Sequence, residues 1–337
     1  MSTTDTRLMA AAAELDHVDV SGDAASRGEC EQLAAVAAVV VHYRNATDTL
    51  ACVASLAAQE PRPHIFVVDN ASPDGSWPTI ARELADAPHV TLHREAHNGG
   101  FGSGCNRGID RALTALPSAQ FVLLLNPDAT LAPGALAELL GTAQRHPRAG
   151  LVGCRIDTPD GDTWFANGRL PLWTLSGFHC AAPAGEAEHP ASFVTGCCML
   201  LAADLLRGTA ALRFDESFFL YCEDVDLCMA VAERGREIWI TQRARAVHAG
   251  GGSQPGQAVL GELTAERLTA LTSAKVRLAN KRLSWLRHAT FWLTALVARP
   301  LLGLWHSRSL RFVRPYVRGL RQGVTSHGLA GHVAKYD

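Results

Sequence analysis

Three acids, Glu223, Asp224 and Asp226, stand close together in FFLYCEDVDLCMAVAERG, residues 218–235. They follow an aromatic and apolar run, Phe218 to Tyr221, and open a segment whose spacing predicts a helix. A helix start favours acids through its macrodipole by about 0.3–1 kcal/mol each, which is a sufficient structural reason for them. That reason leaves the aromatic lead-in unexplained. Against an apolar wall a carboxylate binds its proton more tightly, and such a carboxylate suits a general base. The pattern is not an EF-hand, because Cys228 occupies the next ligand position and the required glycine is absent.

Two other residues could take part in chemistry. Asp128 follows Asn126-Pro127 at the end of an apolar run. There a carboxylate either binds a hard divalent cation that bridges phosphates or simply closes a turn. His248 ends the last apolar run, ahead of AGGGS, and falls on the same rim as Asp128; a lone histidine there serves a structural role at least as readily. The segment GGFGSGCNRG looks like a dinucleotide fingerprint, but Cys105 or Arg107 replaces the third glycine, and the segment does not follow the first strand. This argues against a nicotinamide oxidoreductase. A surface turn is one reading; the other brings backbone close to a bound group at a helix start, with Asn98 and Asn106 fixing the turn.

These residues need a scaffold, and the periodicity supplies one. AAVAAVVVHY, HIFVVDNAS, VTLHREA and FVLLLNPDA are strand-like runs separated by helical segments. Asn45 or Thr47 can cap the first helix. Alternation of this kind predicts an α/β, doubly wound, mostly parallel sheet, with ligands beyond the carboxyl ends of its strands. Tyr43, Asp69, Asn98 and Asp128 all fall at those ends. AGLVGCRI, SFVTGCCMLLAADLL and EIWITQRARAVH extend the core, while the Gly/Pro-rich stretch 159–190 reads as a functional loop or small hairpin.

At 337 residues with a formal charge of −2, the chain has ample length for one such core and gives no argument for nucleic acid as a partner. Its nine cysteines are scattered, with no CxxC pair, and read as reduced core residues of a cytoplasmic protein. Residues 1–33 read as a disordered leader with a short helix at Leu8–Leu15, residues 34–253 as the α/β domain, and 254–337 as a helical, basic appendage. In that appendage Lys275, Arg277, Lys281, Arg282, Arg287, Arg299 and five further arginines meet almost no acids. Arg287 and Arg299-Pro300 interrupt WLRHATFWLTALVARPLLGLW, residues 285–305, and argue against a membrane span. Peripheral membrane contact through amphipathic helices is the favoured reading, ahead of a helical cap on the core.

Together VVVHYRNATDTLACVASL, VVDNASPDGS, NGGFGSGCNRGI, LLLNPDATL, VTGCCMLLAADLL, FDESFFLYCEDVDLCMAVAERG and ARAVHAGGGS, in this order over about Val39–Ser253, resemble the family 2 glycosyltransferases, in particular their rhamnosyltransferase-like branch. The resemblance implies a GT-A fold and an inverting transferase that uses a nucleotide-sugar with a divalent cation, Mg²⁺ or Mn²⁺. It implies that Asp224, or less favourably Glu223, is the base. Tyr43, Arg44, Asp69, Asn98, Gly99, Gly100, Phe101, Asn106 and Asn126 would line the nucleotide-sugar site, with the Gly99–Gly104 loop shaping it. Asp128 and His248 would lie at the metal. Many relatives carry two acids in the metal motif, whereas Asn126-Pro127-Asp128 has one. The implied reaction moves a sugar, L-rhamnose from dTDP-L-rhamnose or alternatively a UDP-hexose or UDP-galactofuranose unit, to a glycan or lipid-linked glycan at the inner face of a bacterial membrane. A noncatalytic membrane-bound scaffold with the same fold is the competing reading.

Overall fold

The computed structural model describes residues 36–173, 175, 178–249 and 264–325. The expected leader with its short helix, Cys30, and the glycines at 250–252 lie outside the described residues.

β1 (Val36–His42) is buried along its whole length, as its unbroken apolar sequence requires of a strand covered on both faces. It pairs in parallel with β2 (His64–Asp69) and with β4 (Phe121–Leu125), and β2 pairs in parallel with β3 (Val90–Arg94). The crossovers are α1 (Ala46–Ala57), α2 (Ser76–Glu83) and α3 (Phe101–Ala115). Past β4 come the short β5 (Ala129–Leu131), α4 (Ala135–Arg145), β6 (Ala149–Asp157) and four three-residue strands: β7 (Thr163–Phe165), β8 (Asn167–Arg169), β9 (Phe178–Cys180) and β10 (Glu188–Pro190). β8 and β9 form a separate hairpin within the stretch expected to be a loop or hairpin. β11 (Cys198–Ala202) enters antiparallel between β4 and β6. After α5 (Glu223–Glu233), β12 (Glu237–His248) pairs with β6 in parallel and at its far end with β5. The main path is β10-β12-β6-β11-β4-β1-β2-β3, the mostly parallel α/β sheet that the alternation of elements predicts. Its order reverses between β1 and β4, which opens a crevice at their carboxyl ends.

The glycine-rich segment is helix rather than loop from Phe101 onward, which corrects the expected Gly99–Gly104 loop. Its physical reason is close packing: a Cβ on Gly104 would lie 2.5 Å from Val41, and one on Gly108 2.2 Å from Val39. These glycines let α3 lie directly on β1.

The C-terminal region is α6 (Ala265–Arg282), α7 (Trp285–Leu293), α8 (Arg299–Ser307) and α9 (Val313–Thr325). α7 continues through a π-helical turn, Thr294–Ala298, into α8. Pro300 just beyond that turn has no N–H to bond the carbonyl four residues back, and the wider turn accommodates it. α9 lies close on α6, where Gly319 meets Thr272 and Gly323 meets Val276. No helix among the described residues is long and apolar enough to cross a membrane.

The basic tail does meet acids, contrary to the expectation from sequence. Lys281 Nζ lies 2.5 Å from Asp215 and 2.9 Å from Asp226, Arg282 Nε lies 2.6 Å from Asp226, and Arg282 also pairs with Glu233. Arg277 donates to the Ser217 carbonyl at 2.6 Å. All these partners belong to 215–233, distant in sequence, so charge balance along the tail alone could not reveal them.

Candidate active site

A cavity of about 460 Å³ occupies the crevice between the ends of β1 and β4. Tyr43, Arg44, Asn98, Gly100, Phe101, Asn126 and Asp128 line it, together with Asn45, Asp48, Asn70, Phe219 and Leu220, which the sequence did not single out for the site. Arg44 and Asn45 adopt the left-handed backbone region at φ 64° and 54°. The turn is held by the Arg44 N–H on Ser72 Oγ at 2.9 Å and the Asn45 N–H on Asp74 at 3.1 Å, and Asn45 caps α1 as expected. The Arg44 guanidinium stacks 5.2 Å from the Tyr43 ring centroid, which turns a cation toward the cavity mouth.

Asn70 organises the opposite wall. Its amide N–H₂ donates to Asn98 Oδ1 at 2.9 Å and to the Gly100 carbonyl at 3.0 Å, while its Oδ1 accepts from the Gly99 N–H at 3.3 Å. Asn98 Oδ1 also accepts from Gly100 N–H at 2.9 Å. Gly100 has φ 88°, and a Cβ there would stand 2.4 Å from the Phe219 carbonyl oxygen, so only glycine fits. The only sequence signal for Asn70 is its place beside Asp69 at a strand end.

Of the residues expected to line the nucleotide-sugar site, Asp69, Gly99 and Asn106 do not line the cavity. Asp69 is fully buried, accepts from Ser72 N–H at 3.0 Å and pairs with Arg94 at 2.9 Å, and it does not line the cavity. Asn106 is buried too, but it clamps the segment before the three acids: it donates to the Phe214 carbonyl at 2.9 Å and to Glu216 at 3.0 Å, and accepts from the Phe214 N–H at 2.9 Å. Its hydrogen-bonding groups are engaged there, away from the cavity.

Asp128 and His248, 120 residues apart in sequence, meet with His248 Nε2 3.0 Å from Asp128 Oδ1. The β12–β5 pairing places His248 opposite Ala129 and so brings the imidazole to the carboxylate. Among the described residues no group of three or more His, Cys, Asp or Glu gathers around a common point. A carboxylate that lines the cavity, with an imidazole beside it, still fits Mg²⁺ or Mn²⁺ held jointly with a diphosphate, because such ions take only one or two protein ligands when phosphates supply the rest.

The three acids have three distinct environments. Glu223 is buried, one of its carboxylate oxygens has no hydrogen-bond partner, and burial beside Asp224 pushes its carboxyl up to about 8. Burial also raises Asp224, but its oxygens accept from Gly196 N–H at 3.0 Å and Val225 N–H at 2.8 Å, and nearby His179 favours its charged form. Adjacent carboxyls with proton affinities pushed apart in this way divide the roles of base and proton holder: Asp224 ionises first, and Glu223 keeps its proton near neutrality. Asp226 is 2% exposed and bound by Lys281 and Arg282. Gly196 links Asp224 to the cavity, since its Cβ position lies 3.0 Å from Phe101 on the wall and 3.6 Å from Asp224 Cβ. Tyr221 and Cys222, just ahead of α5, both have positive φ, 70° and 65°, a strain of about 1–3 kcal/mol each concentrated beside the acids.

The family model of glycosyl transferase family 2 matches residues 37–208, about half of the chain. The N-acetylglucosaminyl-diphospho-decaprenol L-rhamnosyltransferase of Mycobacterium tuberculosis is 29% identical over 198 residues, 52% of this chain and 63% of that protein. The O-antigen biosynthesis protein RfbC of Myxococcus xanthus is 27% identical over 235 residues, 66% of this chain but 18% of its own length. The chain thus spans less than two thirds of the curated relatives it matches here. Among solved structures, GalNAc-T7 with UDP, GalNAc and Mn²⁺ superposes with a TM-score of 0.60 at 13% identity, over 92% of this chain and 61% of that one. Residues 1–349 of S. aureus TarS superpose at 0.54 with 14% identity, over 86% and 80%. With a mostly parallel sheet whose switch-point crevice carries these blocks in order, and a family model that matches residues 37–208 and so most of that sheet, the chain belongs to glycosyl transferase family 2.

Proposed function

We propose that the chain moves L-rhamnose from dTDP-L-rhamnose, with inversion, to a hydroxyl of a lipid-linked or polysaccharide acceptor in cell-surface glycan synthesis, working at the inner face of a membrane. The observation that carries the transferase chemistry is the placement of Asp224 across Gly196 from Phe101 on the cavity wall, with Asp128 lining the cavity and His248 beside it. The named rhamnosyltransferase relative supports the choice of donor.

In this reading the nucleoside diphosphate lies in the cavity along Tyr43, Arg44 and Asn126. Asp224 takes the proton of the acceptor hydroxyl as that oxygen attacks the anomeric carbon. The bond from that carbon to the diphosphate breaks on the opposite face, and its electron pair leaves with the nucleoside diphosphate. A divalent cation at Asp128 and His248 would stabilise the negative charge growing on the leaving group. Arg44 adds a fixed cation at the mouth.

Donor binding and slow donor hydrolysis on the purified protein test this reading. With dTDP-rhamnose, UDP-galactose, UDP-N-acetylglucosamine and GDP-mannose as the panel, dTDP-rhamnose is expected to be preferred. Chelator and Asp128→Asn should each remove that preference. Preference for a UDP-sugar would overturn the donor assignment, and binding of none would favour the scaffold.

Membrane contact is proposed from the outer row of the 285–307 helix. Trp285, Leu293, Leu296, Leu301 and Trp305 are 81%, 64%, 60%, 62% and 74% exposed at helical spacing, with Arg287 and Arg308 at its ends. The Trp285→Ser, Trp305→Ser pair is expected to abolish flotation with anionic vesicles. Flotation equal to the unsubstituted protein would rule out this face.

A further inference from the structure

Residues 214–226 run as two limbs joined by a strained turn. The first limb is held by α3: Asn106 grips Phe214 through both backbone groups, Ser103 and Asn106 donate to Glu216 at 3.1 and 3.0 Å, and the Phe219 carbonyl stands against Gly100. This limb brings Phe219 and Leu220 to the cavity wall. The second limb is the first turn of α5, with Glu223, Asp224 and Asp226. Between the two, Tyr221 and Cys222 stand at φ 70° and 65°, a conformation that persists only where the surroundings fix it.

One side chain takes hold of both limbs. Lys281 Nζ lies 2.5 Å from Asp215 on the first limb and 2.9 Å from Asp226 on the second, and 5.8 Å from the Phe218 ring centroid between them. Elsewhere on α6, Arg277 donates to the Ser217 carbonyl of the first limb at 2.6 Å, and Arg282 bonds the Asp226 carboxylate and carbonyl of the second at 2.6 and 3.1 Å. A single ammonium between two carboxylates fixes the spacing of the limbs, because both contacts are short and charge-assisted. Asp224 in turn accepts from the Gly196 N–H at 3.0 Å, a bond that requires the second limb to keep its place.

We propose that Lys281 is a positioning residue for the transfer step: by bridging Asp215 and Asp226 it sets where Asp224 stands relative to the donor wall carried by Phe219 and Leu220. This rests on the reading of Asp224 as the base. The C-terminal helices thereby take part in the chemistry of the sheet, although no residue of α6 lines the donor cavity. Because α3 holds the first limb independently of Lys281, loss of the lysine displaces the base and spares the donor wall.

The test uses the full chain, with slow hydrolysis of dTDP-rhamnose as the probe reaction and hydrogen exchange as the probe of position. Lys281→Met is expected to lower hydrolysis at saturating donor by about tenfold to a hundredfold, as a displacement of about 1 Å would, and to leave the donor KM within about twofold. Lys281→Arg, whose donors can still reach two carboxylates, should recover most of the rate. Asp215→Asn breaks the bridge from its other end, should show the same split between rate and KM, and guards against misfolding of the first variant. In Lys281→Met the Gly196 amide should exchange faster while the amides of β1 and β2 keep their protection, a pattern that general loosening of the fold does not give. An unchanged rate or an unchanged Gly196 amide would overturn the proposal. So would a rate lost equally in Lys281→Arg, or faster exchange throughout the sheet, either of which would make the lysine structural. Failure of the donor reading would show separately, as unsubstituted protein that does not hydrolyse dTDP-rhamnose, and Gly196 exchange would then decide alone. Failure of the base reading would show as Asp224→Asn hydrolysing the donor at the full rate.

Discussion

Asp224→Asn is expected to lower turnover about 10²–10⁴-fold and to leave nucleotide-sugar binding intact. The expectation rests on its environment: two backbone N–H groups hold the carboxylate beside Gly196, while the neighbouring Glu223 has an oxygen with no partner and carries the pair's other proton. Glu223→Gln, by the same logic, should retain most of the turnover. Because burial raises both carboxyls, turnover should rise with pH as Asp224 ionises. Stability should move the other way. Between its ordinary value of 4.5 and about 8, folded Glu223 keeps a proton that the unfolded chain has released. Its contribution is therefore full below about 4.5 and is lost as pH rises through about 8. Glu223→Gln should flatten that slope, measured as thermal midpoint against pH. Full activity of Asp224→Asn in the acceptor assay would remove it as the base.

The second large effect is structural. Asp226→Asn is expected to destabilise the protein by about 3–5 kcal/mol, because it leaves Arg282, 10% exposed, as a buried charge without its main partner. Lys281 is 37% exposed and keeps water as well as Asp215, so Arg282 should carry most of the loss. Urea unfolding of the single variant and of Asp226→Asn with Arg282→Met separates the two causes. The double variant should recover much of the loss, since it removes the stranded charge together with its partner. A single-variant cost below about 1 kcal/mol, the range of an exposed pair, would show that the network is solvated.

The same network shows what the sequence could and could not reveal. Strand runs such as Val36–His42 and Phe121–Leu125 were legible because burial on both faces demands unbroken apolar residues. Strand-end positions of Tyr43, Asn98 and Asp128 on one crevice followed from topology alone. Contacts across long separations were not legible. Nothing in the local pattern of Asn106 says that it grips Phe214 rather than a ligand, nor that Lys281 and Arg282 reach acids more than fifty residues earlier. The helical glycines were misread for a related reason: glycine lowers helix propensity, and only contact with Val39 and Val41 restores the preference. Asn70 stayed hidden because its partners, Asn98 Oδ1 and the backbone of Gly99 and Gly100, lie nearly thirty residues further along the chain.

The junction of β12 and β6 has a consequence for how this chain can vary. Thr241 pairs with Cys154 and Arg245 with Arg155, so residues 242–244 are extra on β12. Side chains alternate along a strand, so the length of that insertion, an odd number of residues, decides which face every later residue presents. His248 reaches Asp128 only in the present register. Losing one residue here would turn the imidazole to the other face, however well each remaining side chain packed. Descendants of this sequence can therefore drift in composition through this stretch far more freely than in length, and an alignment gap there would mark a lineage that had rebuilt, or abandoned, the Asp128–His248 pair.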